Sequence, residues 1–288
     1  MKISTEIGST MRKIGMHKAV ELCGKAGFDA WDFSISSLYR IDWTTMRPLG
    51  VENEFTGPDY LKLARELKQI GLDNGIVCNQ SHAPFPVVVP EVRSYLKRAI
   101  EMTAEAGGKI CVIHPDNDKS AEENAEMYLE LLPFAKGCGV KIATENMWNW
   151  DHAKDQSSFA ACATGEDFCK HIDVVDDPFF VACLDIGHAE MRGSGNGAAN
   201  MVRELGHRLQ ALHIHDNDRW HDNHAIPYTM DIDFEEVVRA LKEIGYSGYF
   251  TLETGNPFRK GDNEESALEG LIELRNSARR MADRFEQL

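Results

Sequence analysis

The residues best suited to chemistry follow a short apolar run at residues 209–214. His213 and His215 are separated by one residue, and two aspartates and an arginine follow by residue 219. Side chains alternate along a strand, so both imidazoles would lie on one face. Burying such groups is costly unless they pair with one another or with a metal ion. A metal site with a polar substrate explains this pattern, and a strand that ends in a solvated loop explains it equally well.

The same residue types close other apolar runs. Each has an ordinary explanation when it is taken alone, as a loop histidine or a helix cap. The set is His82, His114, Glu145, Asp185, His188 and Glu253, together with Asp222 and His224 in the loop after His213. If they converge, carboxylates at positions 145, 185 and 253 would repel one another strongly, and a divalent cation would relieve that repulsion. The joint pattern therefore predicts a metal site.

Short apolar strands alternate with amphipathic helices along the whole chain. The predicted strands are 3–7, 30–35, 75–78, 110–113, 140–144, 180–184, 209–214 and 249–252. The predicted helices are 16–26, 61–70, 92–106, 121–138, 166–172, 198–205, 234–244 and 266–285. Alternating units of this kind favour a parallel sheet, and eight of them favour a single (β/α)8 TIM barrel over residues 1–288. In such barrels the chemistry lies at the carboxyl ends of the strands.

Composition excludes several classes of protein. The 288 residues carry a formal net charge of −15, which argues against binding to nucleic acid or to an anionic membrane surface. No G-x-G-x-x-G motif follows the first strand, so a dinucleotide-binding fold is not supported. Seven scattered cysteines without a C-x-x-C pair are typical of reduced thiols. With no signal sequence or membrane-spanning run, we expect a cytoplasmic protein.

The order of these motifs resembles the xylose isomerase-like barrel superfamily. That group contains sugar-phosphate isomerases and epimerases, ketose 3-epimerases, inosose dehydratases and endonuclease IV. The motifs are His82-Ala-Pro, His114-Pro, Glu145-Asn, Asp185-x-x-His188, His213-x-x-Asp216, Asp222-x-His224 and Leu252-Glu253-Thr254. The resemblance covers nearly the whole chain and implies a xylose isomerase-like TIM barrel.

The resemblance also implies roles for individual residues. By similarity to the ketose 3-epimerases, one Mn²⁺-like ion is expected on Glu145, Asp185, His213 and Glu253. The substrate-binding histidine and arginine of that family match His188 and Arg219. Similarity to the three-zinc cluster of endonuclease IV implies further metal ligands at His82, His114, His188, Asp222 and His224. The number of metal ions therefore stays open.

The reaction expected from this resemblance is isomerisation or epimerisation of a small sugar, sugar phosphate or polyol through an enediolate. Glu145 and Glu253 would exchange the carbon-bound proton as general base and acid. The ligand set favours Mn²⁺, Mg²⁺ or Co²⁺, with Zn²⁺ as an alternative. Trp148 would pack against the apolar faces of the sugar, although ordinary packing within the loop explains a tryptophan at this position equally well. The alternatives are a multi-zinc hydrolase or lyase and a non-catalytic sugar-binding barrel, and a homo-oligomer is left open.

Overall fold

Strands and helices alternate along the chain. The computed structural model describes residues 1–50, 52–255 and 261–288. The strands are β1 (Ile3–Glu6), β2 (Ala30–Phe33), β3 (Ile41–Asp42), β4 (Arg47–Pro48), β5 (Val77–His82), β6 (Ile110–Val112), β7 (Lys141–Glu145), β8 (Asn149–Asp151), β9 (Gln156–Ser158), β10 (Phe180–Asp185), β11 (Leu209–His213) and β12 (Phe250–Leu252). The helices are α1 (Gly8–Ile14), α2 (Met16–Ala26), α3 (Tyr60–Asp73), α4 (Pro90–Ser94), α5 (Leu96–Ala106), α6 (Ala121–Cys138), α7 (Gly165–Val175), α8 (Ile186–Glu190), α9 (Ala198–Leu205), α10 (Phe234–Glu243) and α11 (Glu264–Gln287).

Eight parallel strands form the central sheet, in the order β11-β10-β7-β6-β5-β2-β1-β12. The two outer strands of that order meet through a parallel bridge between Ile214 and Leu252. The Ile214 amide donates to the carbonyl of Thr251, and the Glu253 amide donates to the carbonyl of Ile214. We call this contact between β11 and β12 the seam. It closes the sheet into a barrel and confirms the predicted TIM-barrel fold.

Local sequence explains why the helices begin and end where they do. Ser120 and Glu123 form a capping box at the start of α6, which satisfies two amides that would otherwise lack partners. Gly27, Gly107 and Gly139 end α2, α5 and α6 in the left-handed conformation. The helices therefore stop just before the next barrel strand, and their apolar faces pack against the outside of the barrel.

Side chains that point into the barrel form two groups. A small apolar cluster comprises Val112, Ala143, Val181, Cys183 and Ala211. The polar group is a hydrogen-bonded set from neighbouring strands: Ser4 donates to Asn79, which in turn donates to Thr251 and Gln80. These bonds satisfy polar atoms that would be costly to bury alone.

The structure contains all eight predicted barrel strands and the eight predicted helices, with shifted bounds. The third barrel strand, predicted at 75–78, is Val77–His82. Tyr95 divides the predicted helix 92–106 into α4 and α5. Helices α1 and α8 and the hairpins β3–β4 and β8–β9 were not predicted. The seven cysteines are unpaired, as expected, and none of the described helices combines the length and apolar character needed to span a bilayer.

Candidate active site and metal centre

The predicted site residues lie at the carboxyl ends of the barrel strands. His82, Glu145, Asp185 and His213 are the last residues of β5, β7, β10 and β11. Asp185 and His213 pair in register across β10 and β11. Glu253 follows β12 directly. Parallel strands bring all of these side chains to one mouth of the barrel.

One group of side chains surrounds Glu145, and we call it the Glu145 cluster. Oε1 of Glu145 lies 3.0 Å from Nδ1 of His213. Oε2 lies 3.2 Å from Nε2 of His114 and 3.7 Å from Nε2 of His82. Glu253 joins through Oε2, which lies 3.5 Å from Nδ1 of His213. A cation among these atoms would have two carboxylates and three imidazoles within reach.

A second group surrounds Asp222, and we call it the Asp222 cluster. Oδ1 of Asp222 lies 3.2 Å from Nε2 of His215, and Oδ2 lies 3.4 Å and 3.2 Å from Nε2 of His188 and His224. Oδ1 of Asp185 lies 3.1 Å from Nε2 of His215. The rings of His215 and His224 stack with centroids 4.2 Å apart. This cluster therefore also combines two carboxylates with three imidazoles.

The predicted residues are thus divided between two neighbouring clusters. Glu145, His213 and Glu253 lie together, whereas Asp185, their predicted partner, contacts His215. His82 and His114 lie in the Glu145 cluster, and His188, Asp222 and His224 in the Asp222 cluster. The sequence predicted that His213 and His215 share one face, whereas the structure places their imidazoles in different clusters, and His215 was not predicted as a ligand. That all of these groups bind metal stays a prediction.

Unpartnered polar atoms are concentrated in these clusters. Among the described residues, the buried side-chain atoms that make no hydrogen bond of good geometry, even where two of them lie 3.2 Å apart, include Oε2 of Glu145, Oδ2 of Asp185, Oδ1 of Asp222, Nε2 of His114 and Nε2 of His215. Buried polar atoms of native proteins are normally paired, and unpaired ones require an explanation. Carboxylate oxygens and imidazole nitrogens are ligands of Mn²⁺, Co²⁺ and Zn²⁺. The donor set therefore fits a divalent cation.

The electrostatics of the mouth favour ionised carboxylates. Burial raises the pKa of Glu145 and of Asp222, but the neighbouring histidines outweigh that effect and hold both well below the usual range. Burial lowers the pKa of His224, yet Asp222 raises it to about 10. Burial and the neighbouring His114 lower the pKa of His82. A neutral His82 beside an ionised Glu145 is in the right state to bind metal.

Asn146 contacts two residues of the Asp222 cluster, the main chain of Asp185 and the side chain of His188. Its Oδ1 accepts from the amide of Asp185 at 2.7 Å, and its Nδ2 donates to the carbonyl of Asp185 at 2.9 Å. Its own carbonyl accepts from Nδ1 of His188 at 2.9 Å. These bonds leave Nε2 of His188 facing Asp222. Asn146 was quoted in the sequence motif, but no positioning role was predicted for it.

A cavity of about 510 Å³ opens above the Glu145 cluster. The carboxylates of Glu145, Asp222 and Glu253 line it, and so do His188 and Trp148. The hairpin β3–β4 contributes Trp43, whose ring centroid lies 6.1 Å from that of Phe85. A cavity of this size accommodates a small organic molecule, with both polar groups and aromatic walls to contact it.

Arg219, the other predicted substrate-binding residue, is not among the described residues that line this cavity. Its Nη2 lies 3.7 Å from Oε2 of Glu190. Its backbone has a φ of 61°, in the left-handed region. Arg219 therefore does not line this cavity in the structure, and its predicted role stays a prediction.

Gly187 is a close neighbour of the Asp222 cluster. A Cβ atom at this position would lie 1.9 Å from Cε1 of His215, whose ring is fully buried. We expect Gly187→Ala to displace the imidazole and to lower the free energy of unfolding by about 1–3 kcal/mol, as overpacked cores do. Chemical denaturation measures this change.

The matched control for that substitution is Gly137→Ala in α6, where a Cβ atom has no neighbour within 4 Å. Alanine favours helix relative to glycine, so this variant should be neutral or up to about 1 kcal/mol more stable. Equal stability of the two variants would contradict the close packing of His215 against Gly187.

Comparison with known proteins agrees with this architecture. The model of the xylose isomerase-like TIM barrel family matches residues 20–277. An uncharacterized protein of Methanocaldococcus jannaschii is 25% identical, with 97% of this chain and 89% of the relative covered. The structure of the IolI protein with a bound zinc atom has a TM-score of 0.73 at 21% identity, covering 99% of each chain. A D-tagatose 3-epimerase-like protein has a TM-score of 0.71 at 22% identity, covering 98% of this chain and 99% of the other. The chain belongs to the xylose isomerase-like TIM barrel family.

Proposed function

We propose that this protein is a divalent-metal-dependent isomerase or epimerase that acts on a small sugar or polyol. The observation that carries the proposal is the set of buried, unpartnered carboxylate and imidazole atoms beside a cavity of about 510 Å³. Its fold is also that of a D-tagatose 3-epimerase-like protein and of a zinc-bound IolI protein. A hydroxylated substrate suits a mouth lined by carboxylates, since its hydroxyl groups can donate to them.

The metal ion would be held by Glu145, His213 and Glu253, with Asp185 as the fourth ligand. Mn²⁺, Mg²⁺ or Co²⁺ fits three carboxylates and one imidazole, and Zn²⁺ is also compatible. When bound, such an ion supplies Lewis-acid stabilisation of negative charge on the substrate oxygens. The chain's own side chains would hold the substrate and move the proton.

Glu145 and Glu253 are the proton carriers in this mechanism. One carboxylate removes the proton from the carbon next to the carbonyl, and the electron pair of that C–H bond moves towards the carbonyl oxygen to give an enediolate. The other glutamate, in its protonated form, delivers its proton to carbon and becomes a carboxylate, and proton exchange with solvent resets the pair. Both line the cavity, and the side chain of Glu253 is 23% exposed. His188 and Trp148 line the same cavity and would contact the substrate.

Exchange of carbon-bound hydrogen with solvent tests this proposal. In D₂O with Mn²⁺, Co²⁺ or Zn²⁺, the protein should incorporate one deuterium next to the carbonyl of an accepted ketose, inosose or sugar phosphate. NMR of the recovered sugar measures it. Binding without exchange would instead indicate a non-catalytic sugar-binding barrel.

The Asp222 cluster favours a second candidate, a hydrolase or lyase with more than one zinc ion. His82, His114 and Glu145 form one possible ligand group, and His215, Asp222 and His224 form another. Metal analysis of the purified protein distinguishes the two candidates. One ion per chain supports the isomerase, whereas two or three zinc ions per chain support the multi-zinc enzyme.

A further inference from the structure

Three histidines at the mouth share one mode of orientation, and His215 follows it with a longer contact of 3.4 Å between its Nδ1 and the carbonyl of Asp216. In each, Nδ1 donates to a main-chain carbonyl. The pairs are His82 with Ala83 at 2.9 Å, His188 with Asn146 at 2.9 Å and His224 with Glu253 at 2.8 Å. A carbonyl oxygen only accepts, so Nδ1 carries the proton in these three rings. Nε2 is then the nitrogen that each ring presents to its cluster.

His213 has the opposite orientation. Its Nδ1 faces the carboxylates of Glu145 and Glu253, at 3.0 Å and 3.5 Å. Its Nε2 lies 3.3 Å from Oδ2 of Asp32. A side-chain carboxylate therefore takes the place that a main-chain carbonyl has behind the other three rings. Nδ1 is the nitrogen that His213 presents to the Glu145 cluster.

The side chain of Asp32 makes its one described polar contact with His213. It is the third residue of the four-residue strand β2 and is fully buried. Among the described residues the one basic side chain within 4.0 Å of it is His213, and its Oδ1 has no hydrogen-bond partner. Burying a carboxylate in this way costs stability unless a specific contact offsets the cost. The contact that the structure gives it is the one with Nε2 of His213.

We propose that Asp32 is a positioning residue that fixes the tautomer and orientation of His213, so that Nδ1 faces the divalent cation. A carboxylate only accepts hydrogen bonds, so it requires the proton to be on Nε2 and leaves the lone pair on Nδ1. An asparagine could accept or donate, and would allow the other tautomer. This inference rests on the proposed function because it requires a metal ion at Glu145, His213 and Glu253.

The first test compares Zn²⁺ affinity between the unmodified protein and Asp32→Asn by competition with a fluorescent chelator. Carboxylates behind metal-binding histidines typically contribute 10–100-fold to metal affinity, so we expect Zn²⁺ to bind about 10–100-fold more weakly to the variant. Unchanged affinity in a folded Asp32→Asn protein would overturn the inference.

The matched control is Asp29→Asn, three residues earlier at the opposite end of β2. Asp29 accepts from the amide of Ile3 and from Arg279, and it has no contact with either cluster. This variant should keep the Zn²⁺ affinity of the unmodified protein. Thermal unfolding of both variants shows whether they are folded.

A second measurement needs no variant and decides the question if Asp32→Asn does not fold. In the ¹⁵N-labelled, Zn²⁺-loaded protein, NMR should show His213 bound to zinc through Nδ1 and protonated at Nε2. Zinc on Nε2 of His213 would overturn the inference and leave the metal site standing. An unmodified protein that binds none of Mn²⁺, Co²⁺ and Zn²⁺ would refute the proposed function itself, and with it the role of Asp32.

Discussion

The Glu145→Gln variant is expected to lose turnover by a factor of about 10²–10⁴, the range that general acid–base catalysis contributes. Glutamine has nearly the same shape but cannot accept a proton at neutral pH. It also removes the negative charge that faces His213 and His114 at 3.0 Å and 3.2 Å. The rate of solvent-deuterium incorporation into the substrate measures the loss.

Glu253→Gln separates the proton-transfer role from the metal-binding role. Both variants should be assayed for metal content beside turnover. A variant that keeps its metal and loses deuterium exchange has lost a proton carrier, whereas one that loses both has lost a ligand. Glu122→Gln is the control, because Glu122 lies in the first turn of α6 and contacts Lys170 on the surface. Full activity in either cavity variant would contradict the acid–base roles.

Metal removal is the second large effect that we expect. Chelation should abolish turnover and lower the thermal midpoint of unfolding. A ligand that binds only the folded state at 100 times its dissociation constant stabilises it by about 2.7 kcal/mol. In proteins of 150–250 residues each kcal/mol shifts the midpoint by roughly 2–4 °C, and the shift per kcal/mol should be of that order or slightly smaller in this longer chain. Calorimetry with and without added Mn²⁺ or Zn²⁺ measures it.

The pH dependence of metal removal has a definite sign. Burial lowers the pKa of His213, the proposed imidazole ligand, but the neighbouring Cys183, Glu145 and Glu253 outweigh that effect and hold it well above the usual range. A protonated imidazole must release its proton before it binds metal. Metal affinity should therefore fall as the pH is lowered, and chelation should be easier in acid. Re-addition of metal should restore both activity and stability. Undiminished turnover by metal-free protein would contradict the metal-dependent mechanism.

Much of this site could be predicted because a parallel barrel brings the carboxyl ends of its strands together. Glu145, Asp185 and His213 end apolar runs in the sequence and end strands in the structure. Residues that face the barrel interior were harder to place. Asn79, Gln80 and Ser81 are polar residues that follow an apolar run, so the third strand was predicted to end at residue 78. In the structure Asn79 and Gln80 belong to β5, because hydrogen bonds inside the barrel satisfy their side chains.

Asp32 shows why part of the site was missed. Its strand was predicted at 30–35, which placed Asp32 in mid-strand, but β2 ends at Phe33 and brings Asp32 close to the mouth. Its partner His213 is 181 residues away in sequence. Local pattern carries no information about such a pair. The short hairpins, including the one that brings Trp43 to the cavity, likewise depend on contacts distant in sequence.

The seam has a consequence for motion. Neighbouring barrel strands elsewhere share three or four paired residues, as in β10 with β7, whereas β11 and β12 meet at a single bridge between Ile214 and Leu252. His213 and Glu253 flank that bridge on its two sides. A metal ion bound by both residues would link β11 to β12 at the contact with the fewest paired residues in the barrel. Amide hydrogen exchange at Ile214 and Glu253 should then slow when the metal ion is bound. The rate at which the seam opens locally would therefore report whether the metal site is occupied.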